Sequence, residues 1–247
     1  ARRSASLPLD RVLFPGIVVS RSGWTAEDSV LSLRSGEPEN HEHADRNSLI
    51  FTACGERLFN DHYRASYMPT DPKWHLRLTA AHTAVLIDGK GHQYHNGEEG
   101  TNASKAHATL QDYRTGRDWM MAVSDAADAY QGADLPPEKV QRSVVFLKPD
   151  ILIVLDRIQL SEPRSAQVRF QVFNADDKGS ATTDKFGFCI NRPHASLHAQ
   201  VATRQTRTIE VKHLPIGDDS AHYPFVEIAC PESNTHEILT VCTAAPQ

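Results

Sequence analysis

The chain has 247 residues, of which 40% are hydrophobic and 23% are charged, and its formal net charge is −5. This composition is ordinary for a globular protein, and the absence of a Lys/Arg-rich run argues against a nucleic-acid partner. No apolar segment approaches the ~20 residues that a transmembrane helix needs, so we expect no membrane partner.

The N-terminus and the cysteines do not by themselves fix the cellular location. The chain begins Ala1-Arg2-Arg3-Ser4, without Met and without the apolar core of a signal peptide, so we expect a processed or excised piece. The four cysteines have no C-x-x-C spacing, and most stand in apolar, strand-like segments, where a buried free thiol is the usual state. We expect a periplasmic or secreted protein, with a cytoplasmic location left open.

Short strands separated by turns are predicted from Gly16 onwards. The first half has strand patterns over residues 17–19, 29–33, 49–53, 57–59, 83–87 and 106–110, after an irregular segment over residues 1–15. Residues 119–123 also fit a strand, although residues 122–133 have a helical composition. A hairpin over residues 142–147 and 151–155 is apolar on both faces, which places it at the centre of a packed sheet.

Shorter alternating strands follow the central hairpin. They are predicted over residues 167–173, 186–190, 196–202, 208–213, 225–229 and 237–243. Strands recur about every 10–14 residues without a sustained helical period, which predicts an all-β, antiparallel β-sandwich. A weak seam at Ser161-Glu162-Pro163 allows a subdivision into residues 1–162 and a smaller β subdomain over residues 163–247.

Two histidines and a carboxylate alternate along the segment that leads into the strand over residues 49–53. In an extended chain, His41, His43 and Asp45 would project to the same face. Such a face suits a metal ion, a bound anion or proton transfer. The His-x-His pair alone is weak evidence, because the chain contains 13 histidines.

Three possible metal ligands stand next to predicted strands. His43 precedes the strand at 49–53, Asp61 follows the return strand of that hairpin, and His82 immediately precedes the strand at 83–87. If these strands are neighbours, two imidazoles and a carboxylate converge at one sheet edge, which is a known zinc arrangement. Asn60 and Asp45 could orient the imidazoles. The alternative is a set of solvated polar residues at strand ends.

The order of these motifs resembles a known family. The matching segments are His41-x-His43-x-Asp45-x-x-Ser48, Gly55-Glu56-x-Leu58-x-x-Asp61, Tyr67, Ala81-His82-x-x-Val85-x-x-Asp88-Gly89 and Arg142-x-Val144-x-Phe146-x-x-Pro149-x-x-x-x-Val154-x-Asp156. Together they resemble the heparinase II/III-like domain, the β-sandwich module of bacterial polysaccharide lyases that act on heparin, heparan sulfate or alginate. The resemblance covers residues 14–160. Residues 160–247 match only in their general pattern of short strands and turns.

The resemblance implies both a site and a partner domain. It implies zinc at His43, Asp61 and His82, with His41 facing the substrate and Tyr67 lining the same cleft. It also implies that the β-sandwich is the C-terminal module of a lyase whose N-terminal α/α toroid supplies the main acid/base Tyr and a second His. This sequence lacks a toroid, so we expect it as a further domain or a separate chain.

The sequence departs from the family pattern at two places. Thr83 stands where the family usually has Asn after the zinc His, and His62-Tyr63-Arg64 stands where it usually has a Gly-containing turn. These changes leave the three expected metal ligands intact. They leave open which uronate glycan would be the substrate.

Lyase chemistry gives these residues roles that can be tested. Elimination from a 4-linked uronate removes the C5 proton, which is acidic only when the neighbouring carboxylate charge is neutralised. His41 suits the neutralising role, helped by Arg46, Asn40 or Arg64; the alternative is that His41 only orients His43. For Tyr67 the resemblance favours a sugar contact, and for Tyr63 we favour aromatic packing.

Other interpretations stay open. The domain could be a non-catalytic β-sandwich that binds an acidic glycan or stabilises a partner domain, with a structural zinc. It could also be a hydrolase using a zinc-bound water, although no general base is evident. For the lyase and for the glycan-binding module, the expected partner is an acidic polysaccharide or oligosaccharide. A homodimer is left open. The polar cluster His92, Gln93, Tyr94, His95, Glu98 and Glu99 is interpreted as a solvated loop rather than the rim of a cleft.

Overall fold

A computed structural model describes residues 7–38, 43–92, 107–130 and 136–247, and these residues form an antiparallel β-sandwich. The strands are β1 (Asp10–Leu13), β2 (Ile17–Arg21), β3 (Val30–Arg34), β4 (Leu49–Ala53), β5 (Glu56–Phe59), β6 (Val85–Ile87), β7 (Thr109–Thr115), β8 (Trp119–Asp125), β9 (Lys139–Leu147), β10 (Ile151–Gln171), β11 (Ser180–Thr183), β12 (Gly187–Asn191), β13 (Ala195–Thr203), β14 (Thr208–His213) and β15 (Pro224–Pro246). Short 3-10 helices cover Pro72–Arg77, Thr79–Ala81, Ala127–Tyr130 and Gly217–His222. None of the helices in these ranges is long and apolar enough to cross a membrane.

The strands form two sheets. The smaller sheet has the order β1-β2-β3-β4-β5, and the larger has the order β11-β12-β13-β15-β10-β9-β8-β7, with β14 added to β15 and β6 added to β10. In several strands, such as β9, every second residue is buried, as expected where one face of a sheet packs against the other sheet. This confirms the predicted all-β sandwich.

Aromatic side chains join the two sheets across the core. Phe51 of the smaller sheet packs edge-on against Phe146 of the larger one, with ring centroids 5.7 Å apart. Phe59 packs on Phe170 at 4.9 Å, and Phe170 packs on Phe188 at 5.3 Å. These contacts fix the end of β5 against the end of β10, next to the point where the chain enters the candidate site.

The two longest strands run through the middle of the larger sheet. β10 and β15 pair with each other along their length. Ile151 faces Thr243 at one end, Gln171 faces Phe225 at the other, and two register shifts lie between them. Pro163 falls in one shift and Pro231 in the other. Because proline donates no ladder hydrogen bond, it is tolerated at such bulges, where a strand can bend without ending.

These bulges explain where the predicted strands differ from the observed ones. The strands predicted at 151–155 and 167–173 are both parts of β10, and those at 225–229 and 237–243 are both parts of β15. The seam predicted after residue 162 falls inside β10, which pairs with β15 on both sides of it.

Smaller differences lie at strand ends. The segment predicted as irregular before residue 16 contains β1, and the strand predicted at 83–87 begins only at Val85. Residues 119–125 form a strand rather than the helical alternative. The four cysteines are free, as predicted, but only Cys230 and Cys242 are buried.

Candidate metal centre

Three chain segments bring the predicted ligands to one place. His43 lies in the turns before β4, Asp61 lies two residues after β5, and His82 follows the 3-10 helix Thr79–Ala81. One ligand atom from each side chain lies within 4.8 Å of the other two. No second cluster of three such residues occurs among the residues that the structure describes.

His82 lies between the other two side chains in the contacts of the site. The Nδ1 atom of His82 lies 2.9 Å from Oδ1 of Asp61, and the rings of His43 and His82 are tilted with their centroids 5.4 Å apart. His82 is fully buried, whereas His43 and Asp61 are partly exposed. The site is therefore anchored in the protein on one side and open on the other.

The electrostatics favour the protonation states that a metal needs. Burial, with the nearby charges of His82 and Arg77, lowers the pKa of His43 to about 4, although Asp61 acts in the opposite direction. Burial alone would raise the pKa of Asp61, but the charge and the hydrogen bond of His82 bring it below its usual value. A neutral imidazole and an ionised carboxylate are the forms that bind divalent cations, so the donor set fits zinc.

Gln171, at the end of β10, ties the segments together. Its side-chain amide donates to the carbonyl oxygens of His82 at 3.2 Å and Ala80 at 3.1 Å. Its backbone N–H donates to Oγ1 of Thr83 at 3.0 Å, and its carbonyl accepts from the N–H of Asn60 at 2.9 Å. The Thr at position 83 therefore anchors the His82 segment to β10. The sequence gives no sign of this role for Gln171, because Gln171 is far along the chain from the three candidate ligands.

Arg142 supports the site from beneath. Its guanidinium binds Asp156 twice, at 2.7 and 3.0 Å, and both side chains are buried. Its Nη1 atom also donates to the carbonyl oxygens of Asn47 and Thr83. The motif that carried the resemblance contains both Arg142 and Asp156, but the sequence gives no sign that Arg142 holds the segments of His43 and His82.

Two predicted supporting residues have other partners. The side-chain amide of Asn60 donates to Nδ1 of His62 at 2.9 Å, and Asp45 binds Arg46 at 2.6 Å. His41 lies outside the described residues, so its predicted alternation with His43 and Asp45 is not tested. Residues 43–48 form no strand, with a bend at Ala44 and a turn at Arg46-Asn47, and the strand begins only at Leu49. Asn47 has a positive φ of 62°, which an extended segment would not contain.

The predicted substrate-contacting residues differ in exposure. His41 and Asn40 lie outside the described residues. Arg46 is only 2% exposed, and its Nη2 atom donates to the carbonyl of Glu37 at 3.3 Å. Arg64 is exposed, with its guanidinium 5.7 Å from the Tyr63 ring. Tyr67 is 59% exposed, as a side chain lining an open cleft would be.

His92 differs from the solvated loop residue that the sequence predicts. It is fully buried and packs edge-on against the ring of Tyr130, with centroids 4.8 Å apart. Burial, with the charges of Arg46 and His82, lowers its pKa well below the usual value. The other members of the predicted loop cluster, Gln93, Tyr94, His95, Glu98 and Glu99, lie outside the described residues.

Residues 16–221 match the family model described as heparinase II/III-like, C-terminal. The chain belongs to this family. The match extends beyond residue 160, where the sequence motifs ended, and includes all three candidate ligands. Among the curated proteins, no sequence matches this heparinase-like domain.

Solved structures share the fold. The heparan sulfate lyase HepC from Pedobacter heparinus matches with a TM-score of 0.78 and 17% identity, over 98% of this chain and 37% of that one. The heparinase III BT4657 gene product matches with a TM-score of 0.76 and 16% identity, also over 98% and 37%. HI1317 matches with a TM-score of 0.56 and 8% identity, over 97% of both chains. The heparinase-like domain thus spans little more than a third of the length of these two lyases.

Proposed function

We propose that this heparinase-like domain is the β-sandwich module of a polysaccharide lyase that cleaves uronate-containing acidic glycans by β-elimination. The observation that carries the proposal is the convergence of His43, Asp61 and His82 within 4.8 Å in a domain of this family. The lyases named above support the reaction class, and their greater length supports a catalytic unit that includes a further domain, an N-terminal α/α toroid.

We propose that the site holds zinc. His43 and His82 would offer neutral imidazole nitrogens and Asp61 a carboxylate oxygen. A bound zinc ion would supply a fixed positive charge and would cross-link the three segments that bear its ligands. Arg142 and Gln171 donate hydrogen bonds to backbone carbonyls of two of these segments. These bonds fix the backbone from which the candidate ligands project.

The proposed reaction is an elimination without water. A base takes the C5 proton of the uronate, the electron pair of that C–H bond forms the C4=C5 double bond, and the C4–O bond breaks. The leaving oxygen then receives a proton, and both transfers are assigned to the toroid tyrosine. We assign the neutralisation of the uronate carboxylate to His41, two residues before His43, with Asn40 and Arg64 as further candidates and Tyr67 as a sugar contact. Arg46, which the sequence also suggested for this role, is 2% exposed and bound to Asp45, so it is not among the candidates.

Metal analysis of the purified domain tests the zinc assignment. We expect about one zinc per chain, and its loss in His43→Ala, because two ligands do not retain the ion against a chelator. The matched control is His222→Ala, which removes a histidine that is also paired with an aspartate, Asp177, at 3.1 Å. Full metal content in the His43→Ala protein would refute the assignment.

Kinetics of the complete enzyme test His41. We expect His41→Ala to lower kcat by about a hundredfold, the scale of losing one preorganised donor, with zinc content unchanged. The readout is the ultraviolet absorbance of the unsaturated uronate product together with elemental analysis. Loss of zinc in this variant would move His41 into the metal site, and an unchanged kcat with intact zinc would remove it from the mechanism.

A further inference from the structure

We propose that Tyr67 and Trp74 form a binding platform for a sugar ring beside the metal centre, and that Arg77 is the positioning residue that holds this platform. The ligand class is the apolar C–H face of a pyranose ring in a uronate glycan. The inference rests on the proposed function for the identity of the glycan, but the platform itself is argued from contacts in the structure.

Arg77 lies under both aromatic rings. Its guanidinium carbon is 4.7 Å from the ring centroid of Tyr67 and 5.3 Å from that of Trp74. Arg77 is 1% exposed, so the cation is covered, whereas Tyr67 is largely exposed and Trp74 is partly exposed. The exposed part of each ring is accessible to a ligand, while the cation limits the movement of the rings.

The backbone of Arg77 connects the platform to the metal ligands. Its carbonyl oxygen accepts a hydrogen bond of 2.8 Å from the N–H of Ala44, the residue after His43. Arg77 also ends the 3-10 helix Pro72–Arg77, and the next 3-10 helix leads directly into His82. The rings are therefore fixed relative to two of the three ligands.

An aromatic platform of this kind suits carbohydrate. A pyranose ring presents C–H groups on one face, which pack on an aromatic ring, and hydroxyl groups at its edge. Because the Arg77 contacts already order the rings, binding loses little side-chain entropy. The proposed zinc would attract the carboxylate of a uronate that is bound next to such a ring.

The chain contains a matched control for this arrangement. Arg21 places its guanidinium 5.1 Å from the ring centroid of Trp24, in the smaller sheet and the turn that follows β2. Trp24 is 40% exposed, so it is also open to solvent. It has the same cation–ring contact without a connection to the metal ligands.

The test measures binding of two probes, a heparan sulfate tetrasaccharide and an alginate tetrasaccharide, to the domain by calorimetry and tryptophan fluorescence. We expect one probe to bind, and Tyr67→Ala and Trp74→Ala each to weaken that binding by about tenfold. Trp24→Ala should leave it unchanged, and zinc content should be the same in all variants. Arg77→Gln should weaken binding as much as the ring variants, with Arg77→Lys in between, because Lys keeps the charge but loses the planar contact.

The outcomes separate the platform from the lyase assignment. Unchanged binding in both Tyr67→Ala and Trp74→Ala, or no binding of either probe to the unmodified domain, overturns the platform. Binding that depends on the two rings, in a complete protein that releases no unsaturated product, upholds the platform and refutes the lyase function. If Arg77→Gln fails to fold, the two ring variants still decide the question.

Discussion

The hydrogen bonds of His62 select one protonation state of its ring. The side-chain amide of Asn60 donates to Nδ1 at 2.9 Å, so Nδ1 carries no proton, and Nε2 then donates to Oε1 of Gln171 at 3.3 Å. Asn60 cannot simply flip, because its Oδ1 accepts from Arg57 at 3.3 Å. Burial lowers the pKa of His62 to about 4, and the Gln171 bond only partly opposes it.

This histidine makes the domain less stable in mild acid. Its pKa is about 4 in the folded state. In the unfolded chain the pKa is about 6.5, so the unfolded chain binds the proton first. As the pH falls from 6.5 to 4, the free energy of unfolding therefore decreases, by up to about 1.4 kcal/mol per pH unit.

Urea unfolding at pH 7 and pH 5 measures this effect. We expect the metal-free domain to lose stability between the two values, and His62→Gln to lose less, because Gln can keep one of the two hydrogen bonds and does not titrate. The control is His198→Gln, an exposed histidine of β13. Equal losses in the domain and in His62→Gln would show that other groups cause the acid sensitivity.

Arg142 couples elements that are distant along the chain. From β9 it binds Asp156 of β10, the turn before β4 at Asn47, and the segment after His82 at Thr83. Along the chain, Arg142 is 95 positions from Asn47 and 59 positions from Thr83. Such a buried cation is tolerated because its carboxylate partner and both carbonyls satisfy it.

Removing Arg142 should affect both stability and the metal. We expect Arg142→Met to cost about 3–5 kcal/mol of unfolding free energy, since it leaves the Asp156 carboxylate buried and unpaired. Zinc affinity should fall by about 10–100-fold, because two ligand segments lose their anchor. Chemical unfolding and a competition titration with a chelator measure the two effects.

Arg192 supplies the control for that variant. It is buried and binds Glu56 at 3.0 Å and Asp176 at 2.6 Å, at the opposite end of β5 from Asp61. Arg192→Met should therefore lower stability without changing zinc affinity. If both variants lose zinc equally, the effect belongs to general destabilisation. The pair Arg142→Met with Asp156→Leu should regain stability but not zinc affinity.

The turns show which elements a sequence can predict. Cys54 and Gly55, between the predicted strands at 49–53 and 57–59, have φ angles of 53° and 74°. Asp88 and Gly89, after the predicted strand at 83–87, have 51° and 72°, so both turns use left-handed residues at two successive positions. The convergence of His43, Asp61 and His82 was predictable for a related reason, because each lies in a segment that leads into or out of a strand. The length of β10 was not predictable, since Pro163 has the local signature of a loop and only the pairing with β15 reveals a bulge.

Contacts between distant segments account for what the sequence could not provide. No spacing along the sequence predicts contacts that depend on how the sheets pack. Examples are the contact of Arg77 with Tyr67, the hydrogen bonds of Gln171, and the hydrogen bonds from Nη1 of Arg142 to two carbonyl oxygens. His92 is the clearest case. Its Gly-rich neighbourhood predicts a solvated loop, yet its backbone N–H donates to Oγ1 of Thr79 at 2.8 Å and its ring is enclosed.

At the scale of the whole molecule, the candidate site lies at one edge of the sandwich. The ligands come from segments before and after strands of both sheets, with His82 buried and the other two ligands partly exposed. Tyr67 and Tyr63 are exposed beside it. Under the proposed function, this site would form one wall of a cleft, and a second domain would supply the other wall and the remaining catalytic groups.

This arrangement predicts that the 247-residue chain alone has little or no lyase turnover, whereas it binds zinc and a glycan. The reason is chemical: neutralising the uronate carboxylate makes the C5 proton more acidic, but the proton moves only if a base lies within hydrogen-bond reach. Mixing the domain with a separately produced toroid should then restore product formation at the rates typical of enzymes, about 1–1000 per second. If the domain alone reaches such rates, the division of labour between two domains is wrong, and Tyr67→Phe and Tyr63→Phe would identify which tyrosine is the base.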